Sequence, residues 1–459
     1  MTKENYESTL AYTNTNSKPT DLKITDMRFV DIAGAPMHCT LLRLETNQGI
    51  TGYGEVRDGA SKLYAQMLKR FLIGENPCNI DKIFRRIKQF GGQSRQAGGV
   101  CAVEIACWDI AGKAYGIPVY QMLGGKFRDK IRMYCDTDVD GKDTGLNMGN
   151  ALKKRIEKNG YTMLKMDLGI GQLTGVEGAL SAPIGFLEEG RELWKKAREA
   201  KAAGDVAAAR YWSNRAYDYQ NIAHPFTGIH ITEKGFDYLE NYVEEVRSVI
   251  GYEIPLSIDH FGHIGIDDCI KLAKRVERFN LCWLEDLIPW QLTDQYVRLN
   301  QSTTSPIATG EDIYLKENFK PLLESGGVSV IHPDILSSGG ILENKKIGDM
   351  AMEYGVQMAV HMAETPVACL AAVQSVAATE NFLALEFHSN DVPWWSDMVK
   401  DAEKPRIVDG FMAVPEKPGI GIDELDDEVL AAHVHPEIPG VWEPTTEWDN
   451  WMSHDRLWS

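Results

Sequence analysis

The first readable pattern is strand-like. Ile24 to Val30 alternates apolar and polar positions, Thr40-Leu41-Leu42-Arg43-Leu44 follows, and Asn47-Gln48-Gly49 supplies turn chemistry, so two or three strands are predicted over residues 23–54. From Ser61 to about Gly116 the spacing becomes helical, most clearly over Ala102–Lys113. Strands followed by helices predict a separate α+β domain. After Gly124-Gly125 the pattern changes again. Short apolar runs each precede a helical stretch: Ile131–Tyr134, Tyr161–Lys165, Ile254–Ile258, Leu281–Leu284, Pro306–Ala308, Val328–Ile331, Val356–Val360 and Phe382–Leu385. Eight alternating strand–helix units predict parallel pairing in a closed barrel. An open doubly wound sheet is the rival, but no G-x-G-x-x-G follows the first strand.

One interval breaks the rhythm. Lys165 and Asp259 lie 94 positions apart, and the surplus, about residues 171–232, predicts two helices flanking Gly204-Asp205. The first is charged, Glu188 to Lys201, and the second carries Val206, Ala209, Trp212, Ala216 and Tyr219 on one stripe. So short a hairpin needs a surface to pack on: the barrel, a lid position or another subunit. Residues from about 400 onward read as loop-like and rich in tryptophan (Trp442, Trp448, Trp451, Trp458), packing back on the N-terminal domain.

Composition narrows the partners. With 48 basic and 66 acidic side chains, the formal charge of −18 opposes nucleic acid and anionic membrane. A small anionic substrate stays compatible, because a bound cation reverses the sign locally. Eight cysteines without a C-x-x-C pair, mostly within apolar runs, predict small core residues in a reducing, cytoplasmic compartment. The polar segment from Met1 to Leu22 has no apolar signal-like core, and no run is long enough to span a membrane.

The strand ends carry the chemistry. The third run ends at Asp259, the fourth at Glu285 and the fifth is followed by Glu311, with spacings of 26 and 26. That is about one strand–helix unit, so the three acids are predicted at one height on neighbouring strands, at the face where barrel active sites form. Three converging carboxylates need a hard cation, and oxygen-only ligands favour magnesium or manganese. The sixth run leads to His332-Pro333-Asp334, the seventh to His361 and the eighth to Glu386. Asp334 and His361 can form a dyad in which the carboxylate fixes the tautomer and raises the basicity of the ring. Lys165 and Asp167, two apart on the second strand, face the same way. Lys165 suits base or carboxylate-orienting work beside a metal, with a salt bridge to Asp167 as the plainer alternative.

This constellation resembles the enolase superfamily, specifically its mandelate racemase branch, over about residues 23–425. The resemblance rests on Ala102–Gly125 (AVEIACWDIAGKAYGIPVYQMLGG), the three spaced acids, Ser337-Ser338-Gly339-Gly340 and Pro418-Gly419-Ile420-Gly421-Ile422. It implies an α/β fold, a (β/α)7β TIM-type barrel with an α+β capping domain. The cap would comprise residues 1–127, completed by about 400–459, with the barrel at 128–399. Asp259, Glu285 and Glu311 match the magnesium ligands, Asp334 and His361 the His–Asp dyad, and Glu386 the eighth-strand acid. Cap loops near Gly34–Met37 and Val56–Lys62 would supply specificity. The branch typically carries Lys-x-Lys on the second strand, where this chain has Lys165-Met166-Asp167. Racemisation needs a base on both faces, whereas dehydration needs one base and one acid. The implied activity is therefore loss of water from a sugar acid, giving a 2-keto-3-deoxy acid. His361 would act as base or acid, with Lys165 as its counterpart or as carboxylate anchor. His260, His263 and His388 are further candidates to protonate the leaving hydroxyl, with Asp167 a possible substrate contact. A cycloisomerase or epimerase of a sugar acid or anhydro-sugar acid is the alternative enzyme, and a degenerate binding scaffold the non-enzymatic one. Copies of the chain are expected to form a homo-oligomer.

Overall fold

A computed structural model describes residues 17–139, 141–221, 228–259 and 264–449. Contacts divide the chain into two compact units. One runs up to Met133 and takes in Gly310–Lys320 and everything from Ile331, while the other comprises Tyr134–Thr309 and Pro321–Val330. Each predicted barrel run overlaps an observed strand.

In the first unit, strands Ile24–Ala33, His38–Thr46 and Thr51–Val56 form an antiparallel meander. Helix Gly98–Tyr115 lies on it. Its apolar spacing fits the helical expectation, yet nearly every residue is buried, because it is apolar all round and central rather than amphipathic. Each large aliphatic side chain it buries contributes about 1.5–3 kcal/mol. The C-terminal segment is more regular than its loop-like composition predicts. Val441–Glu443 adds a fourth strand, pairing Phe29 with Glu443. Ile407–Val408 and Phe411–Ala413 form a hairpin that pairs with Lys130–Arg132, and Asp427–Ala432 is helical, capped by Asp426. Trp442 is buried; Trp451 and Trp458 lie outside the described residues.

Three of the sequence blocks behind the family resemblance, Ala102–Gly125, Ser337–Gly340 and Pro418–Ile422, meet in one hydrogen-bonded joint in this unit. Glu104, on the long helix, accepts from the amides of Ile341 and Leu342 at 2.8 and 3.1 Å, capping helix Ile341–Glu353. Gly340 has φ +92°, and a β-carbon there would strike the Glu104 carboxylate, so only glycine fits. One turn along, Asp109 accepts from the amides of Tyr53 and Ile420 at 3.0 and 2.9 Å and pairs with Lys113. The same unit holds three parallel strand ends in succession: the Ala359 amide donates to Ile331, Val360 bridges Leu385, and Asp334 bridges His361.

The second unit carries a parallel run in the order Cys135, Leu164–Asp167, Leu256–Asp259, Leu284–Glu285 and Ile307–Thr309. Helices such as Gly145–Asn159, Glu233–Ile250 and Ile266–Val276 fall between the strands in sequence, as parallel connection requires. The insertion forms helices Phe186–Ala202 and Val206–Asn221. Its stripe packs within the hairpin: Tyr219 lies on Phe186 at 4.9 Å, Lys196 lies over the Trp212 ring at 4.9 Å, and Ala216 is fully buried. Tyr217, off the stripe, meets Trp194 at 5.0 Å. Val206, placed on the stripe by the sequence pattern, is 72 % exposed. No helix among the described residues is long and apolar enough to cross a membrane. None of the eight cysteines forms a disulfide, and six are buried.

Candidate active site

Strand register places the first acids. In the second unit Asp167 is in register with Asp259, and Glu285 with Ala308. Ile258 is in register with Leu284, so Asp259 and Glu285, each the next residue, end adjacent strands at matching heights. Asp259, Glu285 and Asp286 bring one oxygen each within 4.8 Å of one another, an all-oxygen donor set suited to a hard divalent cation. Glu285 is fully buried and Asp259 nearly so. Such charges need compensation. Lys165, also fully buried, provides it, with Nζ 2.6 Å from Asp259 and 3.1 Å from Glu285. The second oxygen of Glu285 accepts from the indole of Trp283 at 2.7 Å, and that indole meets Tyr134 edge-on at 5.5 Å. Lys165 is thus drawn to the two acids. Asp167 stands at the same strand end, partly exposed.

The first unit carries the remaining strand ends. Asp334 starts the short helix Ile335–Ser338, one oxygen accepting from the Leu336 amide at 2.5 Å and the other facing His361 Nδ1 at 2.6 Å. That carboxylate fixes the ring, leaving Nε2 as the working atom. Nε2 lies 3.2 Å from Glu311 and 3.9 Å from Glu386. Burial disfavours the charged ring, but the carboxylates of Glu311, Glu386 and Asp334 outweigh it and raise His361 to about 10. His388 Nε2 lies 3.1 Å from the other oxygen of Glu386, and the two imidazole centroids are 5.6 Å apart. Glu311 follows Gly310, which has φ +142° and whose β-carbon would fall 2.8 Å from the Phe319 ring. His260 and His263 lie outside the described residues.

Three residues in this cluster escape a strand-end reading. Arg57, immediately after the third strand of the meander, is 1 % exposed. It pairs with Asp58 at 3.0 Å, Asp334 at 3.2 Å, Glu311 at 3.3 Å and also Glu364. These carboxylates keep the guanidinium charged against the cost of burial. Arg95 adds a second guanidinium, 3.0 Å from Glu311 and 2.7 Å from Asp58. Glu364, three residues beyond His361, is fully buried, and burial pushes its carboxyl upward while Arg57 pulls it back. Arg57 falls within the loop segment 56–62 singled out from the sequence, but its side-chain partners are spread over 307 positions. Periodicity carries no signal for such a convergence.

Chemically, the first unit offers a buried, carboxylate-oriented imidazole with a second imidazole beside it, and the second unit offers an acidic oxygen cluster. Known proteins resemble the chain along most of its length. Residues 15–124 match the mandelate racemase / muconate lactonizing enzyme N-terminal domain, and residues 147–429 the enolase C-terminal domain-like family. A D-xylonate dehydratase of Haloferax volcanii is 31 % identical over 433 residues, 93 % of this chain and 92 % of that protein. A D-galactonate dehydratase of Ralstonia pickettii is 28 % identical over 88 % of this chain and 93 % of its own length. Among solved structures, a mandelate racemase/muconate lactonizing enzyme-like protein from Rubrobacter xylanophilus superposes with a TM-score of 0.75 at 25 % identity, covering 91 % of this chain and 99 % of that one. The chain belongs to the enolase superfamily, in its mandelate racemase branch, with the α/β fold class predicted from its sequence.

Proposed function

We propose that this protein is a magnesium-dependent acid-sugar dehydratase. It removes the proton next to the carboxylate of a sugar acid and expels the hydroxyl from the neighbouring carbon, giving a 2-keto-3-deoxy acid. The observation that carries this reading is the buried pair of His361 and Asp334, 2.6 Å apart, in a chain that resembles a D-xylonate dehydratase along 93 % of its length. A cation held by Glu311 would offset the charge that raises His361, so that the neutral ring takes the α-proton at Nε2 while Asp334 holds the ring and its tautomer.

An α-proton of a carboxylate is too weakly acidic for an isolated imidazole. Magnesium, when bound, supplies the positive charge that stabilises the electrons left behind on the substrate carboxylate. Asp259, Glu285 and Glu311 are its proposed ligands. The oxygen-only cluster around Asp259 and Glu285 suits that ion. Lys165, anchored on Asp259 and Glu285, serves as an electrostatic partner of the ligand set. The net charge of −18 and eight cysteines outside any disulfide support a cytoplasmic protein with neither nucleic acid nor membrane as partner, and assembly into a homo-oligomer completes the proposal.

The test is a panel of sugar acids, including D-xylonate and D-galactonate, incubated with magnesium and assayed for 2-keto-3-deoxy products. Exchange of the α-proton with deuterated solvent and no dehydration on any substrate would convert the reading to an epimerase or cycloisomerase. Neither reaction, with no magnesium bound by calorimetry, would make the chain a binding scaffold.

A further inference from the structure

Expulsion of hydroxide requires a proton donor, and the base that has just accepted the α-proton is not the only imidazole at hand. We propose that His388, whose Nε2 lies at ion-pair distance from Glu386, is the general acid that protonates the leaving hydroxyl; this rests on the dehydratase reading above. Three observations support it. First, His388 and His361 flank one buried carboxylate, with Glu386 oxygens 3.1 Å from His388 Nε2 and 3.9 Å from His361 Nε2. A carboxylate at ion-pair distance stabilises an imidazolium, the form an acid must start in. Second, the ring centroids are 5.6 Å apart. Two rings that close can serve adjacent carbons, one reaching the hydrogen on the carboxylate-bearing carbon and the other the hydroxyl on the next. Third, the side chain of His388 is 17 % exposed and that of His361 only 5 %. An acid must regain its proton from solvent after each turnover, and the more accessible ring has the shorter route.

The step balances as follows. His361 takes the α-proton, and the electron pair of that C–H bond becomes the new C=C bond. The C–O bond on the next carbon breaks, its pair leaves with the oxygen, and that oxygen accepts the proton of the His388 imidazolium and departs as water. The resulting enol gives up its hydroxyl proton and gains one on carbon to become the 2-keto-3-deoxy acid. His361 returns its proton to solvent and His388 takes one back. No oxidant or reductant enters.

The experiment uses the magnesium-loaded full chain and compares wild type, His388→Asn and His388→Gln on D-xylonate and on its 3-deoxy-3-fluoro analogue. Fluoride departs as an anion without needing a proton, so the analogue bypasses the acid. The expected result for either variant is a loss of about 100-fold or more in dehydration. Exchange of the α-proton in deuterated water should persist, and fluoride release should fall less than about tenfold. A parallel loss of exchange, dehydration and fluoride release in a variant that melts like wild type would overturn the assignment, making His388 a structural residue. Unchanged dehydration would overturn it equally. A wild-type protein that exchanges the α-proton but dehydrates no member of the panel fails at the underlying reading instead.

Discussion

Arg57 Nη1 lies 3.2 Å from Asp334 Oδ2, the same oxygen that faces Nδ1 of His361. The orienting carboxylate of the dyad is thus shared between a base and a buried guanidinium from the N-terminal part of the chain. Removing Arg57 would strand Asp334, Glu364 and Glu311 without their common countercharge. Arg57→Gln is predicted to cost about 3–5 kcal/mol of folding stability, measured by urea denaturation, and Arg57→Lys less. A cost below about 1 kcal/mol would show that the cluster does not depend on this residue.

His361→Asn should lower turnover about 100- to 10,000-fold and abolish α-proton exchange while leaving the circular dichroism spectrum unchanged. Asp334→Asn should also lose activity, because an amide no longer selects the tautomer that leaves Nε2 free. Retained exchange in His361→Asn would mean that another group is the base.

Chelation should abolish activity and magnesium should restore it. Magnesium binding also has a signature independent of turnover. At a concentration about 100 times the Kd, a ligand that binds only the folded state adds about 2.7 kcal/mol, seen as a rise in Tm. Glu285→Gln should lose that rise. An equal shift in wild type and Glu285→Gln would place the ion elsewhere.

Acid stability should depend on Asp31. Burial opposes its charge, but hydrogen bonds from His38, Lys62 and Thr40 win and hold the carboxyl down to about 2 from its usual 3.8. The folded state therefore binds this proton less readily than the unfolded one. Its contribution is complete above about pH 4 and is lost as the pH falls towards about 2. Asp31→Asn should flatten Tm between those limits and cost about 2 kcal/mol at neutral pH. Parallel acid limbs for the two proteins would remove Asp31 from the account.

The strand ends were legible because a strand–helix unit has a fixed length. Spacings of 26 residues put Asp259 and Glu285 at matching heights, and the parallel register from Asp167 to Asp259 and from Glu285 to Ala308 follows that rule. The Asp334–His361 pairing was legible for the same reason, as successive ends of parallel strands. Arg57 and Glu364 were not, because a long side chain reaching several distant carboxylates leaves no period in the sequence. The hairpin stripe was legible as apolar, but pattern alone gave no destination, and Trp212 and Tyr219 pack within the insertion. The strand at Val441–Glu443 was hidden by its brevity, since three residues carry too little alternation to stand out from loop.

Helix 98–115 takes its hydrogen-bond partners from far along the chain: Glu104 meets an amide 237 positions on, and Asp109 one 311 positions on. On a ribosome, which delivers the chain from its first residue, these buried carboxylates wait for almost the whole protein to be made before both are satisfied. The N-terminal sheet and helix consequently cannot reach their final structure as an early, self-sufficient intermediate. A chain halted anywhere before Ile420 holds Asp109 without one of its two amide donors, so arrest of synthesis exposes an unfinished core rather than releasing a finished domain.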